Sequence, residues 1–337
     1  MSLFEIEKRI PSSLLYDRFI IPPFSVFDTR QGYWQDRKRA WINMGIKSEL
    51  GRDDFDNTKY EFKNAEKGRK QPHMVYTRHS GLLSEAESAD KYGRKHNPTS
   101  VFDPVLCEIA YKWFSREGDV ILDPFAGGSV RGIVAGALNR YYYGVDLNCD
   151  QLVANNNQYD DISSNYEGIV KPIWCCGDSE NLSMHFTQKA DLIFTCPPYY
   201  NLEVYSTDER DLSYKRTYEE FLESYKQIIK NCVNVLNDNS FAIVVIQNIR
   251  DDNGAYYNIV GDTISAFQEC GMILYNDCVI INVAGTLPIR APGQFDATRK
   301  IGKQHQNFLV FYKGDISAIK QKYQVFDKKK KDAENTP

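Results

Sequence analysis

Residues 119–146, DVILDPFAGGSVRGIVAGALNRYYYGVD, decide the fold. They read as an apolar strand ending in an acid, a Gly-bearing turn, a helix with the apolar stripe Val130, Ile133, Val134, Ala137 and Leu138, and a second strand closing on Asp146. Strand, turn, helix and strand in so short a span make a βαβ unit, and such units build parallel sheets. Gly127 and Gly128 let the backbone come close to a ligand at the carboxyl end of the first strand, where ligands bind in open α/β sheets. The turn lacks the G-x-G-x-x-G spacing, which disfavours a dinucleotide, and no G-K-[ST] follows, which removes a P-loop. Asp146, at the end of the second strand, is placed to accept hydrogen bonds from a ribose diol. A purely structural turn that seats the helix on the sheet accounts for the same glycines.

Outward from this unit the alternation continues. Strands are expected at 119–125, 141–147, 169–176, 191–196 and 241–249. Two more, 272–283 and 307–312, lie without a long helix between them and suit an antiparallel pair. Tyr218, Phe221, Leu222, Tyr225, Ile229, Cys232 and Leu236 form another helical stripe and belong to the core. The expected fold is α/β, with a mostly parallel seven-stranded sheet flanked by helices and an extension before it.

The chain has 337 residues, 42% of them hydrophobic, which is enough for a sizeable core. Its 41 Lys+Arg against 45 Asp+Glu exclude a globally basic coat for nucleic acid, while leaving room for local basic surfaces. The charged start, MSLFEIEKRIPSS, and the absence of any apolar run near the ~18–20 residues of a bilayer span predict a soluble, intracellular protein with no membrane partner. Eight cysteines are scattered with no C-x-x-C pair, and His73 and His79 have no cysteine pair before them, so reduced thiols and no metal are expected. Residues 30–70 hold 11 Lys+Arg against 7 Asp+Glu, interleaved with Tyr33, Trp34 and Trp41. Either a nucleic-acid surface or a helix packed through its tryptophans fits that composition.

A second constellation lies at 191–201, DLIFTCPPYYN, with Cys196, Pro197, Pro198 and Tyr199 directly after a strand. Two prolines cannot continue a central strand. They make a stiff loop with free carbonyls at the same end of the sheet as the Gly turn, and Tyr199 offers a ring for a planar base. Asp178, in CCGDSEN, is a candidate partner for an adenine amino group.

These motifs resemble the S-adenosylmethionine-dependent DNA methyltransferases that modify exocyclic amino groups, and a Rossmann-like class I methyltransferase fold is what that implies. Asp123, Pro124, Phe125, Ala126, Gly127 and Gly128 look like the family's cofactor motif, and residues 196–199 like its [D/N/S]-P-P-[Y/F] catalytic motif. The resemblance assigns Asp146, Asp178 and Thr195 to the cofactor as well. Residues 97–114 are similar to the helix that covers the cofactor's methionine end, and 305–313, HQNFLVFYK, to the closing strand. The stretch from Phe24, with CPPYYNLEVYS and LPIR, looks like bacteriophage and prophage members, which implies a cytoplasmic setting in a bacterial or infected cell and a restriction-modification context. The division implied is an extension at 1–96, a catalytic domain at 97–315 and a Lys-rich tail at 316–337. Cys196 departs from the pattern, because a thiol is a weak acceptor. Adenine N6 and cytosine N4 therefore both stay open as targets, as do an RNA or protein amino-methyltransferase and a non-catalytic DNA-binding module on the same fold.

Double-stranded DNA is the implied partner, with a homodimer left open. Contacts to it are expected from the basic extension, including Arg37 and Arg39, and from a long connecting loop at 284–306 that carries Arg290, Arg299, Lys300 and Lys303 against the single acid Asp296.

Overall fold

The computed structural model describes residues 15, 19–46, 102–202 and 205–323. The leader reading of 1–14, His73 and His79, most of the basic stretch beyond residue 46, residues 97–101, Glu203, Val204 and the lysine run at 328–331 lie outside them.

The chain begins its fold with β1 (Val26–Asp28) and α1 (Gly32–Asn43), then α2 (Pro104–Phe114). The βαβ unit follows as β2 (Val120–Asp123), α3 (Val130–Ala137) and β3 (Tyr141–Asp146), continued by α4 (Cys149–Ser163) and β4 (Ile173–Cys176). Next come β5 (Ala190–Thr195), α5 (Tyr218–Val235), β6 (Leu236–Ile246), α6 (Ile259–Glu269) and β7 (Ile273–Ile281). Helix α7 (Leu287–Thr298), β8 (His305–Lys313) and the one-turn α8 (Ile319–Lys322) complete it.

The sheet has eight strands, one more than expected, in the order β1-β7-β8-β6-β5-β2-β3-β4. Only β8 runs antiparallel to its neighbours, β6 and β7. The result is a Rossmann-like α/β fold with a mixed, mostly parallel sheet. From β2 the chain builds outward through β3 and β4, then crosses to β5 and builds the other way, so the order reverses between β2 and β5. That reversal opens a crevice at the carboxyl ends of those two strands.

Alternate residues of the central strands feed two cores. Ile121, Phe194, Ile243 and Phe308 pack under α1, α2 and α3, whereas Leu122, Ile193, Val244 and Leu309 pack under α5 and α6. The register that produces this is local to each strand, and the capping signals are local too. Asp103 accepts the Val105 amide ahead of Pro104, and Thr217 accepts that of Glu220.

The extra strand comes from the region read as an extension. Val26 pairs with Val279, and α1 buries Trp34 and Trp41 in the main core. The segment therefore belongs to the same sheet as the residues beyond 97. Arg37, expected at DNA, is buried and makes a bidentate ion pair with Glu108 of α2, whose carboxylate also accepts the Trp41 indole N–H at 3.1 Å. Burial would push the Glu108 carboxyl up, but the Arg37 and Lys112 charges and these hydrogen bonds outweigh it and hold it down at about 2. Arg39 stays on the surface, paired with Asp36.

Two further expectations change. Segment 284–306 contains α7, with Pro288 in its first turn and Pro292 inside it, and α7 buries none of its residues. Cys149 and Cys176 form a disulfide with their Cα atoms 5.1 Å apart, because the start of α4 and the end of β4 meet beside Asp146. Among the described residues no helix is long and apolar enough to cross a membrane.

Candidate active site

The Gly turn follows β2 and the Cys196–Tyr199 loop follows β5, and β2 and β5 are hydrogen-bonded neighbours. The two motifs therefore share the crevice. Gly127 sits at φ +49°, a left-handed conformation that glycine adopts without penalty. Its amide donates to Asp146 Oδ2 at 2.7 Å, and the Asn148 amide donates to Oδ1 at 2.9 Å. Each carboxylate oxygen keeps acceptor capacity after these bonds. Burial pushes the Asp146 carboxyl above the usual carboxylate range, with the two backbone donors pulling the other way. Gly144, one strand over, lacks the Cβ that would come within 2.7 Å of Ala126 Cβ, so the turn can lie flat on β3. A tight, glycine-lined turn beside a carboxylate on the next strand fits a ribose-bearing ligand.

Asp178 lies just beyond β4, on the same side as Asp146. Its carboxylate caps a 3₁₀ turn by accepting the Glu180 amide at 2.8 Å and the Asn181 side chain at 3.2 Å. Ser179 then ties this turn to the first, donating to the Pro124 carbonyl at 2.7 Å.

Asp123 and Thr195 are not presented to the crevice. Asp123 is fully buried and gathers Arg131, the Tyr142 hydroxyl at 2.7 Å and the Thr195 hydroxyl at 2.7 Å. Their expected contact with a ligand gives way to a structural one: they fasten β2, β3, β5 and α3 together beneath the two loops. Arg131 completes this by donating to the carbonyls of Phe125 and Ala126, which holds the turn from below.

In the second loop Pro197 is buried, while Cys196, Pro198 and Tyr199 are partly exposed. The Tyr199 hydroxyl lies 3.4 Å from Cys196 Sγ. Tyr200 holds the loop in place. It takes φ +51°, unusual for a bulky residue, and is fixed by rings of Tyr218, Phe221 and Tyr257 at 5.4–5.7 Å and by its hydroxyl on the Arg216 carbonyl. The sequence signalled Tyr200 only as the second tyrosine of P-P-Y-Y, and Arg131 and Gly144 only as a charge in a helix and a glycine inside a strand.

A family model described as DNA methylase matches residues 190–336, which begins at the first residue of β5 and takes in the Cys196–Tyr199 loop and β8. The chain carries a DNA methylase domain. The match to the methylase covers less than half of the 337 residues, and the Gly turn lies ahead of it. No curated protein sequence matches the chain. Similar solved structures include TrmN from Thermus thermophilus, at 15% identity over 63% of this chain and 49% of that one, with a TM-score of 0.41. A methyltransferase from Pyrococcus furiosus matches at 15% identity over 75% of this chain and all of the other, with a TM-score of 0.41. Magnesium protoporphyrin IX methyltransferase from Synechocystis matches at 9% identity over 77% and 99%, again with a TM-score of 0.41. The chain spans about half the length of TrmN.

Proposed function

We propose that this protein transfers a methyl group from S-adenosylmethionine to an exocyclic amino nitrogen, adenine N6 or cytosine N4, of a base flipped out of duplex DNA. The observation that carries the reading is the meeting of the Gly127 turn and the Cys196–Tyr199 loop at adjacent strand ends. S-adenosylmethionine, held by Asp146, Asp178 and the turn of Pro124, Phe125, Ala126, Gly127 and Gly128, supplies an activated methyl group when bound.

The remaining work falls to the loop. An exocyclic amino nitrogen is a poor nucleophile because its lone pair is delocalised into the ring. The Pro197 carbonyl and Cys196 Sγ accept its two N–H bonds and favour a pyramidal nitrogen with the lone pair exposed. Sulfur is the weaker acceptor, so the carbonyl bears the larger share. Positioning and electrostatics of this kind act without any covalent intermediate on the protein. Tyr199 stacks on the base, and stacking worth ~1–3 kcal/mol offsets much of the few kcal/mol that flipping costs. Arg39, Arg290, Arg299, Lys300 and Lys303 are surface cations available to phosphates.

The test is to incubate purified protein with duplex DNA and methyl-labelled S-adenosylmethionine and to analyse the nucleosides by mass. Label in N6-methyladenine or N4-methylcytosine is expected. Label at cytosine C5, or none in DNA, would overturn the reading.

A further inference from the structure

Beyond β6 the chain makes a β-hairpin at 249–257. Arg250 bridges Tyr256 in antiparallel fashion, the Asp251 amide donates to the Ala255 carbonyl at 2.8 Å, and the Tyr257 amide to the Ile249 carbonyl at 2.9 Å. The turn residue Gly254 sits at φ +89°. Strand alternation gives the hairpin two faces. On the inner face, Ile249 is buried and Tyr257 stacks on Tyr218 at 4.6 Å and packs edge-on against Tyr200 at 5.4 Å. Tyr200 directly follows Tyr199, so the hairpin is anchored on the same aromatic cluster as the candidate catalytic loop.

The outer face carries different chemistry. Tyr256 is 45% exposed, with the Arg250 guanidinium 3.9 Å from its ring centroid and the Lys303 ammonium 5.8 Å from it. Arg250 donates to the Gly254 carbonyl, and Lys303 lies 3.2 Å from His305 Nε2. Among the described residues neither cation forms an ion pair with a carboxylate. The hairpin's own acids sit at its turn, where Asp251 accepts the Ala255 amide. Burial and the nearby Arg250 charge push the Lys303 ammonium down, which means the two cations repel and an anion between them would relieve the strain. Lys303 arrives from the β7–β8 connection, so two separate chain segments converge on one exposed ring.

We propose that this hairpin is a DNA-engaging finger: Arg250 and Lys303 bind a phosphodiester of the strand that carries the target base, and Tyr256 stacks on the nucleotide beside it. The inference rests on the DNA methyltransferase reading above. A phosphodiester supplies the anion the two cations lack, and a nucleobase supplies a flat partner for an exposed ring.

The experiment titrates a fluorescently labelled mixed-sequence duplex with the full chain across a salt series, alongside titration with S-adenosylmethionine. Replacing Arg250 and Lys303 together by Ala should weaken DNA binding and lower the slope of log affinity against log salt by roughly two. Tyr256→Ala should weaken binding about fivefold to a hundredfold, the equivalent of one lost stacking contact, and Tyr256→Phe should retain it. Unchanged cofactor affinity in each variant reports an intact fold. If the wild type methylates DNA and the variants keep its affinity and salt slope, the finger is refuted while the reading stands. If the wild type neither binds nor methylates DNA, the reading falls and takes the finger with it.

Discussion

The Asp146 carboxylate accepts the amide of Gly127, 2.7 Å away and one strand over, so the end of β3 and the turn after β2 form a single unit. Asp146→Ala removes the ribose partner and releases the turn together. It should weaken S-adenosylmethionine binding by about 1.5–3 kcal/mol, the range for losing charge-assisted hydrogen bonds. Calorimetry reads this directly, and equal affinities would remove Asp146 from the site.

The ring of Tyr199 serves the base in this scheme and not the cofactor. Tyr199→Ala should abolish methyl transfer to DNA while cofactor affinity stays near that of the wild type. Transfer at the wild-type rate would make Tyr199 a packing residue.

Cys196 lies 3.4 Å from the Tyr199 hydroxyl and fills an acceptor position with a weak acceptor. Cys196→Ser should therefore keep activity, and Cys196→Ala should lose only part of it. A dead Ala variant accompanied by 5-methylcytosine would point instead to a thiol nucleophile.

Glu108 links the first helix to the second through Arg37, and its pKa makes the link dependent on pH. The folded value of about 2 lies below the ordinary 4.5, so the ion pair stabilises the fold above that ordinary value and is lost as pH falls from there towards 2. The shift corresponds to about 3 kcal/mol. Glu108→Gln should cost a comparable amount at neutral pH because Arg37 is left buried without a counter-charge. The stability gap between variant and wild type in urea titrations should shrink across that acid window. A gap that is independent of pH would assign the loss to packing.

Gly144→Ala places a methyl group 2.7 Å from Ala126 Cβ and 2.8 Å from Tyr142 Cε1. About 1–3 kcal/mol of destabilisation is expected from overpacking, with weaker cofactor binding because Ala126 belongs to the turn. Thermal melts with and without S-adenosylmethionine separate the two effects.

The sheet's central strands, the Gly turn and the proline loop were legible because each announces itself within ten or so residues through apolar alternation, glycine or proline. What escaped depends on distant partners. β1 is only three residues long, too few for a period, and exists because Val26 meets Val279. Arg37 reads as one more surface cation until Glu108, 71 positions away, is brought beside it. Thr195 and Asp123 sit next to ligand-lining positions in sequence yet turn towards each other in space. The hairpin did leave a trace, Asn253-Gly254, a strong short-range turn signal.

Asp123 gathers a guanidinium and two hydroxyls in a pocket without water access, under the very turn whose sequence motif it begins. For anyone scanning that motif by alanine, position 123 is a decoy. Its loss would leave Arg131 buried without its carboxylate and loosen four elements, and an inactive variant there would look the same as one that had lost a ligand contact. Genetic screens that score only activity will rank this residue among the most sensitive of the motif, for reasons that belong to the scaffold.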